Sequence, residues 1–230
     1  DMVACHRLLA EHLGIRQVKM LIGSSIGGFQ CLEWSVIHPG FAENLVLIAT
    51  SARSKPWAIA FNESQRMALE NDPTFGEANE NAGGAGLATA RSIALLSYRG
   101  QTAYDRTQDD PEAGTKTSKY KASSYQRYQG EKLRRRFNAY SYYRFTQAID
   151  SHNIGRGRDS IEKVLAGIRS RCCIVAISSD ILFPPSEHDI LRENIPGAEY
   201  HLIDSDFGHD GFLIEHEKLN RIILNFLNHE

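Results

Sequence analysis

The stretch Lys19-Met-Leu-Ile-Gly-Ser-Ser-Ile-Gly-Gly-Phe29 joins a short apolar run to a helix-like pattern through one tight turn. The turn reads Gly23-Ser24-Ser25-Ile26-Gly27, the G-x-S-x-G pattern of a nucleophile elbow between a strand and a helix. Such a turn is so sharp and its backbone so strained that small residues are needed beside it, here Gly23 and Gly27. A Gly/Ser turn before a helix and a phosphate-binding loop are the alternatives. An elbow would place the Ser25 hydroxyl at a helix start, where the helix dipole favours developing negative charge.

The composition is that of an ordinary soluble globular protein, with 230 residues, 42% of them hydrophobic and 23% charged. The net charge of −2 gives no basic surface for nucleic acid or an anionic membrane. The longest apolar runs, such as Leu45–Ala49, are too short to span a bilayer. No Cys/His spacing typical of a metal site is present. We therefore expect neither a nucleic-acid partner, nor a membrane, nor a bound metal.

The four cysteines are Cys5, Cys31, Cys172 and Cys173, and none of them forms a C-x-x-C pair. Adjacent cysteines on a strand point to opposite faces, so Cys172 and Cys173 are not expected to bond to each other. Buried, reduced thiols in a cytoplasmic protein are the expectation. The sequence begins with Asp1 rather than Met, which leaves upstream processing or truncation open.

Strand and helix patterns alternate at both ends of the chain and predict a parallel sheet of the α/β class. The expected strands are Gln17–Ile22, Asn44–Ala49, Cys172–Ile177 and Glu199–Ile203. The expected helices are Met2–Leu13, Ile26–Ile37, Trp57–Leu69, Gly86–Leu96, Phe137–Ile149, Ser186–Asn194 and His216–Leu227. Residues 105–130 are polar and poorly patterned. We predict a core sheet with the elbow over 1–52, a helical lid insertion over 53–160, and a core sheet carrying two functional loops over 161–230.

Those two later loops supply the partners that a serine nucleophile needs. A serine hydroxyl reacts only when a base takes its proton, and a third group orients the base. In elbow-containing folds the order along the chain is Ser, acid, His, on loops after later strands. Asp180 follows the strand that ends at Ile177, and His209 follows the strand that ends at Ile203. The sequence therefore predicts Ser25 as nucleophile, Asp180 as acid and His209 as base, at the strand ends where such sheets bind ligands.

Other polar residues have simpler interpretations. Asp204 and Asp206 compete for the acid role, but they lie too close to His209 in sequence to fit the usual geometry. The run Arg134-Arg135-Arg136 is interpreted as a solvated helix face, with attraction of an anionic cofactor as the alternative. The remaining histidines lack a strand-end position and are interpreted as surface or core residues: His6, His12, His38, His152, His188, His201, His216 and His229.

Longer segments around the three residues are more specific. The elbow continues through Gly28-Phe29-Gln30 to Leu32-Glu33-Trp34, the acid loop reads Ser179-Asp-Ile-Leu-Phe-Pro-Pro185, and the base loop reads Gly208-His-Asp-Gly-Phe-Leu213. Together with the segments Gly86–Arg91 and Phe137–Tyr142, they resemble the homoserine O-acetyltransferase family over nearly the whole chain. Ser24 and Ile26 stand where that family usually has Gly and Met.

The resemblance implies an α/β-hydrolase fold with a mostly parallel sheet and an inserted helical lid. It also implies transfer of an acyl group from acyl-CoA to the hydroxyl of L-homoserine, a step in methionine synthesis. Ser25 would carry the acyl group, and the backbone amide of Ile26 would be one donor of the oxyanion hole. Arg91 matches the arginine that holds the homoserine carboxylate, Tyr98 could join it from the same helix face, and Asp210 would receive the substrate ammonium. Without the resemblance, Arg91 is an exposed cation and Tyr98 a packing residue.

The implied mechanism is ping-pong, with acetyl-CoA as co-substrate, no bound cofactor and no metal. A succinyl-CoA donor, a serine acceptor, a serine esterase or hydrolase, and a non-catalytic binding module are the alternatives. Family members are often dimers, so a homodimer is expected. The aromatic side chains of Tyr140, Tyr142 and Tyr143 would serve either that interface or packing of the lid.

Only one helix and one strand precede Ser25, whereas the fold normally lays several strands first. We therefore expect the chain to match the carboxyl-terminal part of a longer protein, with the opening strands and the second oxyanion donor outside it. A sheet without those strands would expose an edge and an apolar surface. Alone, such a piece is expected to be poorly stable and weakly active or inactive.

Overall fold

The computed structural model describes residues 1–111, 114–115 and 117–228. Its strands are β1 (Val18–Ser24), β2 (Ala42–Ile48), β3 (Arg171–Ile177) and β4 (Glu199–Ile203). Its helices are α1 (Met2–His12), α2 (Ile26–Ile37), α3 (Pro56–Glu70), α4 (Gly84–Tyr98), α5 (Gln101–Gln108), α6 (Lys121–Arg134), α7 (Ala139–Asp150), α8 (Ile161–Ala166), α9 (Asp189–Asn194), α10 (Gly211–Ile214) and α11 (His216–Asn228).

The described residues form two compact units. The sheet unit consists of Asp1–Arg53, His152–Ser205 and the described residues from Gly211 onward. The helical unit consists of the described residues of Ser54–Ser151 together with Asp206–Asp210. The segment that contains His209 therefore groups with the helices, although it directly follows a strand loop of the sheet unit.

The sheet unit is built on four parallel strands in the order β1-β2-β3-β4. The middle strands β2 and β3 are apolar almost throughout and nearly fully buried, as expected for parallel strands with both faces covered. All four predicted strands are present, with bounds shifted by at most two residues. The strand β1, which leads into the elbow, lies at one edge of this sheet, and Ile22 on it is 48% exposed.

Each face of the sheet has its own apolar core. On one face, Leu45, Leu47 and Cys172 pack with residues of α2, α8 and α9. On the other face, Val46 and Cys173 pack with Phe226 and neighbouring apolar residues of α11. The adjacent cysteines thus lie on opposite faces, as predicted, and all four cysteines are free thiols. Burial raises the pKa of the Cys31 and Cys173 thiols to about 12, which keeps them protonated and unreactive.

The helical unit packs α3, α4, α6 and α7 around Leu69, Leu87 and Leu133. The sequence pattern missed α6, which lies in the polar stretch 105–130 and beyond it. The reason is that α6 approaches α4 through a small residue instead of an apolar stripe. A Cβ atom added at Gly130 would lie 2.5 Å from the backbone oxygen of Ala88. Of the residues of α6, only Gly130 and Leu133 are buried, so the helix gives the sequence few apolar positions from which to predict it.

The tyrosines of α7 form hydrogen bonds inside the helical unit. The hydroxyl of Tyr140 donates to the backbone oxygen of Glu77, and that of Tyr143 donates to Glu70. The hydroxyl of Tyr142 donates to Gln65 Oε1. These contacts correspond to the packing role that the sequence left open, and a homodimer stays a prediction. Within the described part of the chain, no helix is both long and apolar enough to cross a membrane.

Candidate active site

Ser25 has the backbone geometry of a nucleophile elbow. It joins β1 to α2 with φ 53° and ψ −122°, a combination that residues other than glycine rarely adopt. Its amide donates to the backbone oxygen of Ile48 at 2.9 Å, and its own carbonyl accepts the amide of Gly28 at 2.9 Å. Although Ser25 is the N-cap residue of α2, its side chain makes no capping hydrogen bond. The hydroxyl is therefore not used to terminate the helix.

The amide of Ile26 is the first of α2 and has no acceptor within the helix. This is the position that the sequence predicts for an oxyanion donor. The strained backbone of Ser25 and the first amide of α2, unpaired within the helix, have one cause. The sharp turn places both the Ser25 side chain and the Ile26 amide beyond the end of β1.

We expect the two motif glycines to differ sharply in what they tolerate. A Cβ added at Gly23 would lie 2.2 Å from the Gly27 oxygen and 2.7 Å from Cys31 Sγ, whereas one added at Gly27 has nothing within 4 Å. Gly23→Ala should lower the free energy of unfolding by about 1–3 kcal/mol through overpacking. Gly27→Ala should raise it by about 0.5–1 kcal/mol, since alanine favours the helix. Denaturant unfolding of the two variants measures this, and equal stability would contradict the elbow geometry.

Asp180 lies directly after β3 and is only 2% exposed. Its Oδ1 accepts the amides of Leu182 at 2.8 Å and Phe183 at 2.9 Å. Two backbone donors hold the carboxylate in one orientation. Such a fixed, buried carboxylate has the properties required of a group that orients a histidine.

The two competing aspartates are engaged elsewhere. The hydroxyl of Ser178 donates to Asp204 Oδ1 at 3.1 Å, which ties Asp204 to the loop after β3. Asp206 pairs with Arg106 at 3.1 Å on the surface of the helical unit. These contacts favour Asp180 over both of them for the acid role.

His209 lies in a 3₁₀ turn, Gly208–Asp210, and is 4% exposed. Within the helical unit its ring is 5.9 Å from the ring of Tyr98, centroid to centroid. The turn sits directly on the α4–α5 junction. A Cβ added at Gly100 would lie 2.0 Å from the Asp206 oxygen, and one added at Gly208 would lie 2.4 Å from the Gly100 nitrogen. Two glycines thus let the base loop and this junction touch backbone to backbone.

Asp210 has a cationic neighbour that the sequence did not indicate. Arg99, at the end of α4, places its Nε 3.3 Å from Asp210 Oδ2, with side chains 30% and 15% exposed respectively. The Nη2 of the same arginine donates to the hydroxyl of Tyr125 at 3.3 Å. The carboxylate of Asp210 is therefore held from the side of α4, next to the candidate base.

Arg91 and Tyr98 lie on one face of α4, as their spacing predicts. The guanidinium carbon of Arg91 is 5.6 Å from the centre of the Tyr98 ring. Tyr98 is hydrogen-bonded to Tyr142, whose own proton goes to Gln65. Burial raises the pKa of Tyr98, with Arg91 opposing, and burial also raises that of Tyr142, so both remain neutral phenols. Gln65 and Tyr142 are thus partners of the predicted binding residues that the sequence analysis missed.

The predicted site residues divide between the two units. Ser25, Ile26 and Asp180 follow strand ends of the sheet unit, and Arg91, Tyr98, His209 and Asp210 gather in the helical unit. Among the described residues, no cluster of His, Cys, Asp and Glu is suited to hold a metal ion. The chemistry available is that of a strained serine, a fixed carboxylate, and a histidine flanked by charged and phenolic groups.

Comparison with known proteins decides the family. Residues 1–215 match the family model of the alpha/beta hydrolase fold. The chain belongs to this family. The prediction of an α/β-hydrolase fold is therefore confirmed.

The α/β-hydrolase relatives include proteins named homoserine O-acetyltransferase. The one from Cyclobacterium marinum is 42% identical over 98% of this chain and 64% of its own length. A crystal structure of homoserine O-acetyltransferase from Bacillus anthracis has a TM-score of 0.89 at 20% identity, covering 100% of this chain and 65% of that one. Esterase E22 has a TM-score of 0.87 at 19% identity, covering 98% and 65%. At these sequence identities, the two structures support the fold and nothing further.

The resemblance seen in the motifs thus extends over the sequence as a whole. The chain spans about 64% of the length of the first relatives it matches, a share consistent with the expectation that opening strands of the fold lie outside it.

Proposed function

We propose that this chain carries the acyl-transfer centre of a CoA-dependent O-acyltransferase that moves an acetyl group from acetyl-CoA to the hydroxyl of L-homoserine. The observation that carries the proposal is the grouping around the base. Arg91 and Asp210 give a cation and an anion in the same unit as His209. An acceptor with a carboxylate, an ammonium and a hydroxyl requires such a set, whereas water requires none of it. The similarity to proteins named homoserine O-acetyltransferase supports the same acceptor.

In the first half-reaction, His209 takes the proton of Ser25 while the serine oxygen attacks the thioester carbonyl. The carbon–sulfur bond breaks, and the thiolate of CoA leaves with the proton that His209 returns. Asp180 orients the imidazole and stabilises its charged form. The amide of Ile26 stabilises the oxyanion, a contribution of about 3 kcal/mol for one donor in comparable sites.

In the second half-reaction, homoserine binds with its carboxylate at Arg91 and its ammonium at Asp210. Tyr98 orients the guanidinium of Arg91 through its ring. His209 now takes the proton of the substrate hydroxyl, whose oxygen attacks the acyl-serine carbonyl. The bond between Ser25 and the acyl group breaks, and the serine regains its proton. The resemblance to homoserine O-acetyltransferases also implies that the product, O-acetylhomoserine, enters methionine synthesis.

The test is to incubate the complete protein with acetyl-CoA, with and without L-homoserine, and to measure free CoA and O-acetylhomoserine. Continued CoA release that requires homoserine, after a burst of at most one equivalent without it, and that yields one ester per CoA supports the transferase. Equal release without homoserine indicates a hydrolase. Release only with succinyl-CoA, or only with serine as acceptor, would correct the donor or the acceptor. No release with any of them, together with no labelling of Ser25 by a serine reagent, would indicate a non-catalytic module.

Arg91→Lys and Arg91→Met should separate acceptor binding from acylation. The planar fork of arginine suits bidentate contact with a carboxylate, and losing a charged hydrogen bond costs about 10- to 100-fold. We expect the KM for homoserine to rise by that factor in Arg91→Met and by less in Arg91→Lys. The initial burst of CoA release without acceptor should be unchanged in both. A burst that falls in parallel with acceptor affinity would place Arg91 in the general packing of α4 instead.

A further inference from the structure

His188 is a fully buried histidine that the mechanism above does not use. It follows the acid loop, immediately before α9, and its exposed fraction is 0%. Both of its ring nitrogens face backbone groups of the sheet unit. Nε2 accepts the amide of Thr50 at 3.2 Å, and Nδ1 lies 3.4 Å from the carbonyl oxygen of Pro184.

These partners fix the protonation of the ring. A backbone amide can only donate, so Nε2 must present its lone pair to Thr50. The carbonyl of Pro184 can only accept, so the proton is on Nδ1. Burial lowers the pKa of His188, which agrees with a neutral imidazole. His188 is therefore held as a single tautomer between two loops.

Thr50 is in turn a support of the nucleophile elbow. It lies two residues beyond β2, and its hydroxyl donates to the backbone oxygen of Ser25 at 2.9 Å. Its side chain also fills the space beside α2, because a Cβ added at Gly28 would lie 2.5 Å from Thr50 Oγ1. The residue before it, Ala49, has φ 46°, so the segment that carries Thr50 is itself strained. A strained segment needs fixed partners, and His188 provides one at the Thr50 amide.

We propose that His188 is a positioning residue for the nucleophile: its imidazole ties the acid loop to Thr50, and Thr50 holds the carbonyl of Ser25. One continuous set of hydrogen bonds then runs from Pro184, four residues past Asp180, through His188 and Thr50 to the strained serine. The loops that carry the nucleophile and the acid are thereby fixed to each other within the sheet unit. This inference rests on the proposed role of Ser25 as nucleophile, but not on the identity of the acyl donor or acceptor.

The experiment measures the rate of Ser25 labelling by a fluorophosphonate in the complete protein, alongside kcat and KM for acyl-CoA. His188→Leu removes the acceptor for the Thr50 amide and should slow labelling and kcat about tenfold, the scale of one hydrogen bond, at unchanged KM. In His188→Gln a side-chain oxygen can accept the same amide, so most of the rate should return. His201→Leu, on β4, is the matched histidine control and should label at the wild-type rate.

Thr50→Val provides the second arm, because it removes the hydroxyl bond to Ser25 while keeping both the shape of the side chain and the amide. It should slow labelling by a similar factor, and adding His188→Leu to it should slow labelling no further. A role confined to packing predicts instead that the two effects multiply. Equal labelling of His188→Leu and wild type, or multiplying effects, would overturn the inference.

The outcome for the proposed function is separate. If the wild-type protein is labelled but transfers no acyl group, the proposed function is wrong, whereas the comparison of labelling rates still tests the role of His188. If the wild-type serine is not labelled at all, there is no activated nucleophile to position, and this inference fails as well. The imidazole ¹⁵N spectrum gives a readout without activity: a proton on Nε2 of His188 in place of Nδ1 would contradict the geometry.

Discussion

Ser25→Gly is expected to abolish acyl transfer while making the protein more stable. Loss of a serine nucleophile in comparable sites lowers kcat by about ten-thousandfold or more. The gain in stability has a different origin. Ser25 is held at φ 53°, where a side chain collides with its own backbone and costs about 1–3 kcal/mol. Glycine removes that strain, but its more flexible unfolded chain costs about 0.5–1 kcal/mol. The free energy of unfolding should therefore rise by about 1 kcal/mol, within a range of about 0–2.5 kcal/mol.

Ser25→Ala is the matched variant, because it removes the hydroxyl but keeps the Cβ atom and therefore the strain. It should be as inactive as Ser25→Gly and close to wild type in stability, since the hydroxyl makes no capping bond to α2. Denaturant unfolding and CoA release, measured on the three proteins, give the comparison. A glycine variant no more stable than the alanine variant would show that the elbow is not strained. Residual transfer in both variants would remove Ser25 from the role of nucleophile.

The strained turn requires particular residue types, and for this reason the sequence could predict the turn at Ser25. A serine with glycines two positions before and after it, following an apolar run and preceding a helix, matches the pattern of a nucleophile elbow. The assignments of Asp180 and His209, which stay predictions, rest on a related reason, since loops at the carboxyl ends of parallel strands gather at one edge of a sheet. The strand pattern itself was strong, because β2 and β3 are buried on both faces and read as continuous apolar runs.

The contacts that the sequence did not predict join residues that are far apart along the chain, and such contacts produce no periodic pattern in the sequence. His188 was interpreted as an ordinary surface or core histidine because nothing in the sequence links it to Thr50, which lies 138 residues earlier. The helix expected over Ser186–Asn194 is divided at this histidine into a 3₁₀ turn, Pro185–Glu187, and α9. The 3₁₀ turn begins at Pro185, whose fixed φ suits the first position of a helical turn. Arg99 was missed for the same reason, since its partner Asp210 is distant in sequence.

Gly100→Ala is the second substitution for which we expect a large effect. Gly100 has φ −78°, which any residue adopts, so the backbone itself would accept alanine. The obstacle is the base loop, because the new Cβ atom would lie 2.0 Å from the Asp206 oxygen and 2.7 Å from the Gly208 nitrogen. Neither atom belongs to a flexible side chain. The loop that carries His209 must therefore shift by an ångström or more, and ion pairs of Arg99 and Arg106 with that loop must stretch.

In the proposed mechanism His209 moves a proton in both half-reactions, so its displacement should slow both of them. A misplacement of about 1 Å costs about 100-fold in comparable sites, and we expect at least that loss in kcat for Gly100→Ala. The matched control is Gly84→Ala at the other end of α4, where the new Cβ would lie 3.2 Å from Cδ of Arg134, a flexible side chain that can move aside. Unfolding curves establish that both variants are folded at the assay temperature. If Gly100→Ala were folded and as active as Gly84→Ala, then the contact between the base loop and the α4–α5 junction would not be what holds His209 in place. If kcat falls in Gly100→Ala while Gly84→Ala remains normal, the close backbone contact of Gly100 and Gly208 sets the position of the base. A contact of this kind leaves no side-chain pattern from which the sequence could predict it.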